Sequence, residues 1–557
     1  MFGIYLTLSY LCSTKTNEKM KRILSLMIVL PLSVMICMTG CKDDDAPVPV
    51  TPEPEEPEVV EEPVKTAEEL LKDIPGVTIL QTTKDKNDED ITLFNYEQPI
   101  DHTDPSAGTF QQYCVLHYKG PDHVTVLCTR GYSIAEPIYF KRRDLAKNLD
   151  ANFIEVEHRY FKHSLINFEE KVTDCTGDYW KYNTAAQSTA DLHAVVTALK
   201  GTDCFKNKWL SMGTSKSGML TALYAYYYPN DMDVYVPFCA PFCTAAESDG
   251  IGKWLTQKSD MVNGLETETH MQVWSIFDRL LYDEQFRMAI TDFDNKERNA
   301  NRTVDASVTY VLSRFMSNMF YKYCYYKPEQ WADVIPTDDY PYSAEVYYRF
   351  IMLGRKDYWQ KLNELRQLMG KEEIESEEAD DGDDYDYMIG DEWDELNEDD
   401  EMAAGSRRVA PRTLTKDKLM NVIYFVQASK ELGYFLYDWT WLPDSYNEYY
   451  RKWLEKYQSI TSYNKTYGME YDNGKLMNDF LAFVKNNRNK DKCKMLFIYG
   501  GNDPWSGAAI PDPDPDDPCV KKHMVPNGVH SDDLNDPEDY TEEEKNWIMN
   551  AVKEMLQ

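Results

Sequence analysis

Two kinds of hydrophobic pattern alternate along the chain and together predict an α/β fold. Continuous apolar runs of about four to eight residues are typical of strands buried on both faces, and apolar residues at helical spacing lie between several of them. Because strands alternate with helices, we expect a doubly wound, largely parallel sheet, opened by a hairpin made from the first two strands. The predicted strands are 91–96, 111–118, 124–129, 152–156, 208–212, 234–238 and 494–499, and the predicted helices are 184–199, 220–227 and 541–556.

The strand signals fade in the middle of the chain, where helical runs rich in Tyr, Trp and Met dominate. We interpret residues 246–485 as a large helical cap inserted between two parts of the α/β core, 66–245 and 486–557. Within the cap, residues 372–401 contain 18 Asp or Glu among 30 residues, a composition that predicts a disordered, solvated loop. An acidic recruiting segment or a Ca²⁺ site is the alternative, although the spacing of an EF-hand is not found.

The N-terminal segment has the layout of a delivery signal followed by a tether. Two basic residues precede an apolar run over 23–38, as in a secretory signal peptide, and the run ends in a lipobox-like Met-Thr-Gly-Cys at Cys41. We therefore expect residues 1–41 to be an upstream extension and a lipoprotein signal, with Cys41 lipidated in a bacterial cell envelope. The Pro- and Glu-rich residues 42–65 predict a disordered tether. A transmembrane anchor is the alternative, but the apolar run is short and aspartates follow it.

Charge and cysteine content narrow the classes of partner. The formal net charge of −36 excludes nucleic acid, because phosphate binding needs a basic stripe, and it argues against electrostatic docking on anionic lipid. The 12 cysteines include no C-x-x-C pair and indicate neither a dense disulfide framework nor a metal site. Cys239 and Cys243 are expected to be buried thiols or one ordinary disulfide. No metal or organic cofactor is indicated, and the oligomeric state stays open.

The junction before the predicted helix 220–227 carries a motif for nucleophilic catalysis. A serine hydroxyl is a weak nucleophile at neutral pH and needs an adjacent base, an orienting acid and donors for the oxyanion. In α/β hydrolases this serine lies on a sharp strand-to-helix turn, with small residues two positions before and after it. Residues 213–217 read Gly-Thr-Ser-Lys-Ser, so Ser215 is the predicted nucleophile and Ser217 replaces the usual last glycine.

The acid and the base are expected later in the chain, in the order Ser, acid, His. Asp503 lies just beyond a late predicted strand. Three histidines follow Ser215: His270 precedes the acid, His523 lies in a Lys-rich run, and His530 lies in a glycine-containing loop before the last helix. The predicted triad is therefore Ser215, Asp503 and His530.

Two backbone N–H groups are predicted to form the oxyanion hole. The first belongs to Lys216, which follows the nucleophile, and the second to Tyr132, in the loop after an early strand. Gly131 in this loop would allow a close approach between backbone and substrate. The Lys216 side chain is the alternative base, in a Ser-Lys scheme.

Four segments resemble known serine exopeptidases. Glu157–Phe161, Asp503–Gly507 and Gly528–His530 resemble the prolylcarboxypeptidase and dipeptidyl-peptidase family. The nucleophile segment Gly213–Met219 is similar to a related group, the secreted bacterial tripeptidyl aminopeptidases. The resemblance covers roughly residues 90–245 and 490–556, and it does not reach the acidic loop.

The resemblance implies an α/β hydrolase that cleaves peptides near a terminus, with di- or tripeptide release and a preference for proline. An aminopeptidase must hold a protonated α-amine, for which Glu157 is the candidate, although a salt bridge with Arg159 is its alternative role. Trp505 and the aromatic cap residues are candidate contacts for a proline ring, but aromatic richness is also typical of core packing. A carboxylesterase on the same fold and a non-catalytic surface-binding lipoprotein remain alternatives.

Overall fold

The structure is a computed structural model. It describes residues 66–85, 89–134, 142–167, 171–172, 177–248, 250–251, 254, 267–337, 343–354, 357–374, 414–433, 436–437, 468–486, 493–526 and 528–557. Cys41, the predicted tether 42–65 and the acidic stretch after residue 374 lie outside the described residues. No helix among the described residues is both long and apolar enough to cross a membrane.

Nine strands form one mixed sheet, with the order β1-β2-β3-β5-β4-β6-β7-β8-β9. In this order, the pairs β1-β2, β2-β3 and β3-β5 are antiparallel, and all pairs from β5-β4 to β8-β9 are parallel. This arrangement confirms the predicted α/β class and the opening hairpin. The strands are β1 (Val77–Lys84), β2 (Asp90–Pro99), β3 (Thr109–His117), β4 (Thr125–Thr129), β5 (Asn152–Val156), β6 (Trp209–Thr214), β7 (Val234–Phe238), β8 (Met495–Gly500) and β9 (Val520–Val525). Two further two-residue pairs join 171–172 to 414–415 and 247–248 to 436–437.

Most of the helices lie between the strands along the chain, and several of them fall between β7 and β8. A π-helical turn, Ala428–Leu432, directly follows the helix Lys416–Gln427. The helices are α1 (Ala67–Leu71), α2 (Asp144–Asn148), α3 (Gly177–Trp180), α4 (Ala185–Lys200), α5 (Lys216–Tyr227), α6 (Thr267–Tyr282), α7 (Glu284–Glu297), α8 (Val304–Tyr325), α9 (Pro328–Trp331), α10 (Ala344–Met352), α11 (Tyr358–Leu368), α12 (Lys416–Gln427), α13 (Lys475–Asn486) and α14 (Glu542–Leu556). Short 3₁₀ turns cover Pro105–Ala107, Ala332–Val334 and Pro504–Ala508.

Helices cover both faces of the sheet, because successive side chains of a buried strand point to opposite sides. In β8, Met495, Phe497 and Tyr499 join the core under α4, α5 and α13. Leu496 and Ile498 join the core on the other face, under α2 and α14. The continuous apolar run of this strand therefore results from burial on both sides.

The cap helices α6 to α11 have a core of their own. Trp331 and Phe315 are fully buried in it, and Tyr323 is 1% exposed. Much of the aromatic richness of this segment is therefore core packing. The domain boundaries set from the sequence stay predictions.

Three local features differ from the sequence-based expectations. β1 and β9 were not predicted, because their side chains are largely polar and only partly buried at the two edges of the sheet. Helix α5 begins at Lys216 rather than at residue 220. At the start of α14, the residues Thr541 and Glu544 predict a capping box from the sequence. Thr541 accepts the Glu544 N–H at 3.3 Å as a helix N-cap, but the Glu544 carboxylate pairs with His523 instead of closing the box.

Candidate active site

Ser215 lies on a strained turn between β6 and α5. Its φ of 58° and ψ of −124° are unusual for a residue with a side chain, and such backbone strain costs about 1–3 kcal/mol. The Ser215 N–H donates to the Phe238 carbonyl at 3.0 Å, which ties the turn to the end of β7. Ser215 is partly exposed, whereas its neighbours in the turn are buried. A serine presented in this way is typical of a nucleophile elbow.

The turn depends on glycine at two positions. A Cβ at Gly213 would lie 2.6 Å from the carbonyl carbon and oxygen of Ser217. A Cβ at Gly218 would lie 2.5 Å from the Phe238 carbonyl oxygen. The turn therefore accommodates Ser217 in place of the usual glycine, since Gly213 and Gly218 leave the backbone enough space.

Replacing Gly213 with alanine is expected to distort the turn, because the new methyl group meets backbone atoms that cannot move aside. We expect the free energy of unfolding to fall by about 3 kcal/mol and labelling of Ser215 by a fluorophosphonate to be lost. Urea unfolding and gel-based labelling measure the two effects. Gly201→Ala is the matched control, because its nearest contacts would be at 3.4 Å. Unchanged labelling of Gly213→Ala would contradict this account of the turn.

The loop after β4 packs directly on the serine turn. The Gly131 N–H donates to Ser217 Oγ at 2.7 Å, and a Cβ at Gly131 would lie 2.9 Å from Ser217 N and 3.1 Å from the Lys216 carbonyl carbon. Gly131 therefore permits a close approach to this turn, and the approach to a substrate that the sequence suggested stays a prediction. The Tyr132 carbonyl accepts the His158 N–H at 3.1 Å. The loop of Tyr132 thus lies beside Lys216, and their predicted oxyanion-hole role stays a prediction.

Ser217→Ala should slow the chemical step without weakening substrate binding. The variant removes the acceptor of the Gly131 N–H, so the loop that carries Tyr132 loses one anchor. A net loss of about 1 kcal/mol corresponds to a decrease in kcat of about fivefold, with KM unchanged. Steady-state kinetics separate the two constants. A change in KM alone would show that Ser217 acts on substrate binding instead.

Asp503 and His530 form a buried pair. His530 Nδ1 lies 2.6 Å from Asp503 Oδ2, and the two residues are 8% and 0% exposed. The pair forms because the loops after β8 and β9 dock on each other: the Gly501 N–H donates to Val525 O, and the Asn502 N–H to Gly528 O, both at 2.8 Å. An aspartate on Nδ1 leaves Nε2 of the imidazole for a nucleophile.

The topology of the sheet brings this pair to the edge where Ser215 lies. β6, β7, β8 and β9 are consecutive parallel neighbours, so their carboxyl ends share one edge. Ser215 follows β6, Asp503 lies three residues after β8, and His530 lies five residues after β9. No hydrogen bond between Ser215 and His530 is found in the described part of the chain, and such contacts often form only with substrate. Their roles as a triad stay a prediction.

His523, the rejected late histidine, lies elsewhere. It is on β9, pairs with Glu544 of α14 and stacks on Trp547 at a ring distance of 4.0 Å. His270 lies on α6, and its side chain is outside the described residues.

Sequence reasoning missed several groups around the pair. The Cys324 carbonyl, at the end of cap helix α8, accepts the His530 N–H at 2.7 Å, and its thiol lies 3.8 Å from Asp503 Oδ1. The Tyr325 ring packs edge-on against the imidazole at 6.0 Å. Cys239 places its sulfur near both members of the pair. Only Cys239 gave a sequence signal, because it directly follows a predicted strand.

The two closely spaced cysteines are free thiols. Cys239 and Cys243 are both buried and unpaired by a disulfide. Burial raises the pKa of the Cys239 thiol well above its ordinary value, so it stays protonated at neutral pH. Since the thiolate is the reactive form, Cys239 is a poor rival nucleophile.

Trp505 lies directly beside the pair. The backbone N–H of Trp505 donates to Asp503 Oδ1 at 3.0 Å and so helps to orient the carboxylate. The half-buried indole lies 6.1 Å from the His530 ring and 5.2 Å from the Phe320 ring. An apolar surface next to the imidazole is therefore made jointly by the α/β core and the cap.

The Glu157 carboxylate holds two loops together. It is 0% exposed and accepts the Ile134 N–H at 3.0 Å, the His163 N–H at 2.8 Å and the Ser164 hydroxyl at 2.8 Å. Arg159 does not bind Glu157 but forms two hydrogen bonds with Asp191, at 2.6 and 2.8 Å. Glu157 thus positions the loop that follows Tyr132, and its contact with a substrate amine stays a prediction.

The Lys216 side chain is buried among aromatic rings. Nζ lies 5.0–5.8 Å from the ring centres of Phe161, Tyr132 and Tyr424, and it has no hydrogen-bond partner in the part of the chain that the structure describes. Burial lowers its pKa from 10.5 to about 7, partly opposed by the Glu431 carboxylate. Because Nζ forms no hydrogen bond with Ser215, the Ser-Lys scheme gains no support from the structure.

Lys216→Met is expected to change how stability depends on pH. The unfolded chain binds a proton at this lysine up to about pH 10.5, whereas the folded chain releases it near pH 7. Stability should therefore rise with pH between these values, and Lys216→Met should remove that slope and be stabilising at pH 6. Urea unfolding at pH 6 and pH 9 tests this, with the exposed Lys206→Met as control. An equal effect of Lys216→Met at both pH values would contradict it.

Comparison with known proteins adds a family to this geometry. Residues 59–261 match the model of the PS-10 peptidase S37 family. The predicted resemblance to serine aminopeptidases is thereby confirmed. The match includes Ser215 and Tyr132 but ends before Asp503 and His530.

A curated relative and two solved structures are similar to the chain. Over 173 residues the chain is 32% identical to a prolyl tri/tetrapeptidyl aminopeptidase of Streptomyces mobaraensis. This matched stretch covers 31% of this chain and 33% of the relative. The chain thus matches about a third of the length of that relative. A proline iminopeptidase from Mycobacterium smegmatis is 12% identical, with 83% of this chain and 98% of that chain covered at a TM-score of 0.33. An α/β fold family hydrolase from Bacillus anthracis str. Sterne is 12% identical, with 86% and 100% covered at 0.30.

Proposed function

We propose that this protein is a serine exopeptidase that releases short peptides from the N-termini of its substrates. The observation that carries the proposal is the buried His530–Asp503 pair at the same sheet edge as the strained Ser215 turn. A positioned base, an orienting acid and an exposed hydroxyl are what acyl transfer needs. The peptidase S37 match over residues 59–261 supports peptides as the substrate class.

In the proposed reaction, Ser215 Oγ attacks the carbonyl carbon of the scissile peptide bond while His530 Nε2 takes the hydroxyl proton. The N–H groups of Lys216 and Tyr132 stabilise the oxyanion, and Asp503 stabilises the imidazolium. The tetrahedral intermediate collapses, the C–N bond breaks, and the leaving amine receives the proton from His530. Water then attacks the acyl-enzyme with His530 as base, which releases the N-terminal peptide and restores the Ser215 hydroxyl.

We infer that the residue before the cleaved bond is preferentially proline. Trp505 and Tyr325 each place a half-buried ring near the His530 imidazole, at 6.1 and 6.0 Å, and a pyrrolidine ring packs well on such flat surfaces. The Streptomyces mobaraensis relative is named for prolyl tri- and tetrapeptide release, which supports the same preference. The end of helix α8 carries Tyr325 onto the site, and a cap in this position favours chain ends over internal bonds.

The first test uses the soluble chain from residue 66 onward. A fluorophosphonate probe is applied to the folded protein, the labelled residue is mapped by mass spectrometry, and products from a peptide mixture are sequenced. Label on Ser215 together with di-, tri- or tetrapeptides cut from N-termini is expected. Ester turnover without peptide cleavage would indicate a carboxylesterase, cleavage at C-termini would reverse the polarity, and folded protein that takes no label would leave a binding lipoprotein.

We also propose that Cys41 is lipidated and anchors the protein to the cell envelope, in the outer membrane. The lipobox-like sequence after the apolar run 23–38 supports this anchor. Full-length chain expressed in a Gram-negative host should incorporate an alkyne fatty acid, and Cys41→Ser should not. Cys114→Ser is the control, because Cys114 is buried in the core. Membrane retention of unlabelled Cys41→Ser protein would instead favour a transmembrane anchor.

A further inference from the structure

Three potential metal ligands meet at the turn between β1 and β2, which we call the hairpin cluster: Asp85, Glu89 and His117. The turn is closed by the Asp85 N–H donating to Glu89 O and by the Glu89 N–H donating to Asp85 Oδ1, both at 2.9 Å. His117 is the last residue of β3 and faces Ile91 of β2. One nitrogen or oxygen atom of each residue lies within 4.8 Å of the others.

The imidazole of His117 is the unusual member of the hairpin cluster. It is 2% exposed, yet neither Nδ1 nor Nε2 has a hydrogen-bond partner among the described residues. A buried polar group left without a partner destabilises the folded state, so such groups usually have one. A neutral imidazole is the form that binds metal ions.

The charges around His117 favour a cation. Asp85 and Glu89 supply two carboxylates, and one neighbouring guanidinium, that of Arg142, donates to both Glu89 oxygens, at 2.9 Å to Oε2 and at 2.5 Å to Oε1. With a neutral imidazole, these four groups carry a net charge of about −1. Each carboxylate oxygen has two lone pairs, so Glu89 can bind Arg142 and a metal ion together. Arg142 would then orient a ligand from outside the coordination sphere.

We propose that Asp85, Glu89 and His117 bind a divalent transition-metal ion of the zinc class. One imidazole nitrogen with two carboxylate oxygens fits Zn²⁺, with water in the fourth position, whereas Ca²⁺ and Mg²⁺ prefer oxygen ligands alone. His117 pairs with Phe153 near the amino end of β5, so the cluster lies at the sheet edge opposite Ser215. The ion therefore has a structural role: it ties the hairpin to β3 without entering the reaction.

The test uses the metal-free chain from residue 66 onward, with Co²⁺ as a spectroscopic probe and Zn²⁺ for equilibrium dialysis and unfolding. We expect one bound ion, a d–d spectrum without a thiolate charge-transfer band, and a higher midpoint of urea unfolding with Zn²⁺. His117→Phe, which keeps the packing against Phe153, should bind at least about tenfold more weakly and lose the stabilisation. Asp85→Asn, which keeps the Oδ1 acceptor of the turn, should behave alike. Fluorophosphonate labelling should not change in either variant.

The second candidate cluster of the described residues, Cys239 with Asp503 and His530, provides the control. Cobalt bound there would show a thiolate charge-transfer band that disappears in Cys239→Ser. The proposal is overturned if the chain binds no Zn²⁺ at micromolar concentration, or if binding survives in His117→Phe and is lost in Cys239→Ser. Both results are read from metal binding, so they do not depend on whether the protein is a peptidase.

Discussion

Replacing Ser215 with alanine is expected to lower kcat by about 10⁶-fold on any peptide that the protein cleaves, with the fold unchanged. The methyl group cannot form an acyl-enzyme, whereas the oxyanion donors and the substrate contacts remain. The residue also sits in a strained turn with positive φ, and alanine tolerates this conformation about as well as serine does. Initial rates and fluorophosphonate labelling measure the loss, and urea unfolding shows whether the fold persists.

The matched control for this experiment is Ser211→Ala on the same strand, β6. Ser211 is buried and its hydroxyl bonds to none of the residues that the structure describes, so its removal should leave kcat and labelling unchanged. If Ser215→Ala keeps more than a hundredth of the wild-type rate while Ser211→Ala is normal, Ser215 is not the nucleophile.

Asp503→Asn should lower kcat by about 10⁴-fold and affect stability far less. Asp503 Oδ2 lies 2.6 Å from His530 Nδ1, which fixes the ring with its proton toward the carboxylate. An asparagine amide can donate to Nδ1 instead, which favours the tautomer with its proton on Nε2. That tautomer cannot accept the serine proton, and the charge that stabilises the imidazolium is gone. The pH profile of kcat/KM should show the loss together with any change in the base.

Asp532→Asn is the control for the acid. Asp532 is buried two residues after His530, but it pairs with Arg143 at 3.7 Å. We expect a change in kcat of less than about threefold. The reverse pattern, with Asp532→Asn inactive and Asp503→Asn active, would assign the acid role to Asp532.

The central strands could be predicted from the sequence, whereas the edges could not. β5 and β7 match their predicted bounds, because strands covered on both sides must be apolar throughout. β9 contains two lysines and a histidine, because neighbouring elements cover only part of the surface of an edge strand. Its polar sequence therefore carried no strand signal, although it places the loop of His530.

The candidate site shows the same division. The order Ser, acid, His and the glycines around Ser215 follow from local sequence, because the turn constrains each position. The contacts of Cys324 and Tyr325 with His530 join residues about 200 positions apart, and no local pattern reports them. Glu157 is a further example: its position at a strand end suggested a ligand contact, which stays a prediction, whereas no local pattern reported the loops that supply donors for both carboxylate oxygens.

Strand β8 pairs with β7 although the whole cap separates them in the sequence, and this separation determines when the sheet can form during synthesis. Phe238 of β7 pairs with Ile498 of β8, so the sheet is complete only after the cap and the later strands have left the ribosome. Until then the serine turn exists without its acid and base, and the exposed edge of β7 waits for a partner. Such distant pairing slows folding. A chain that ends before β8 would therefore lack both the proposed acid and the proposed base, and it could not carry out the proposed reaction.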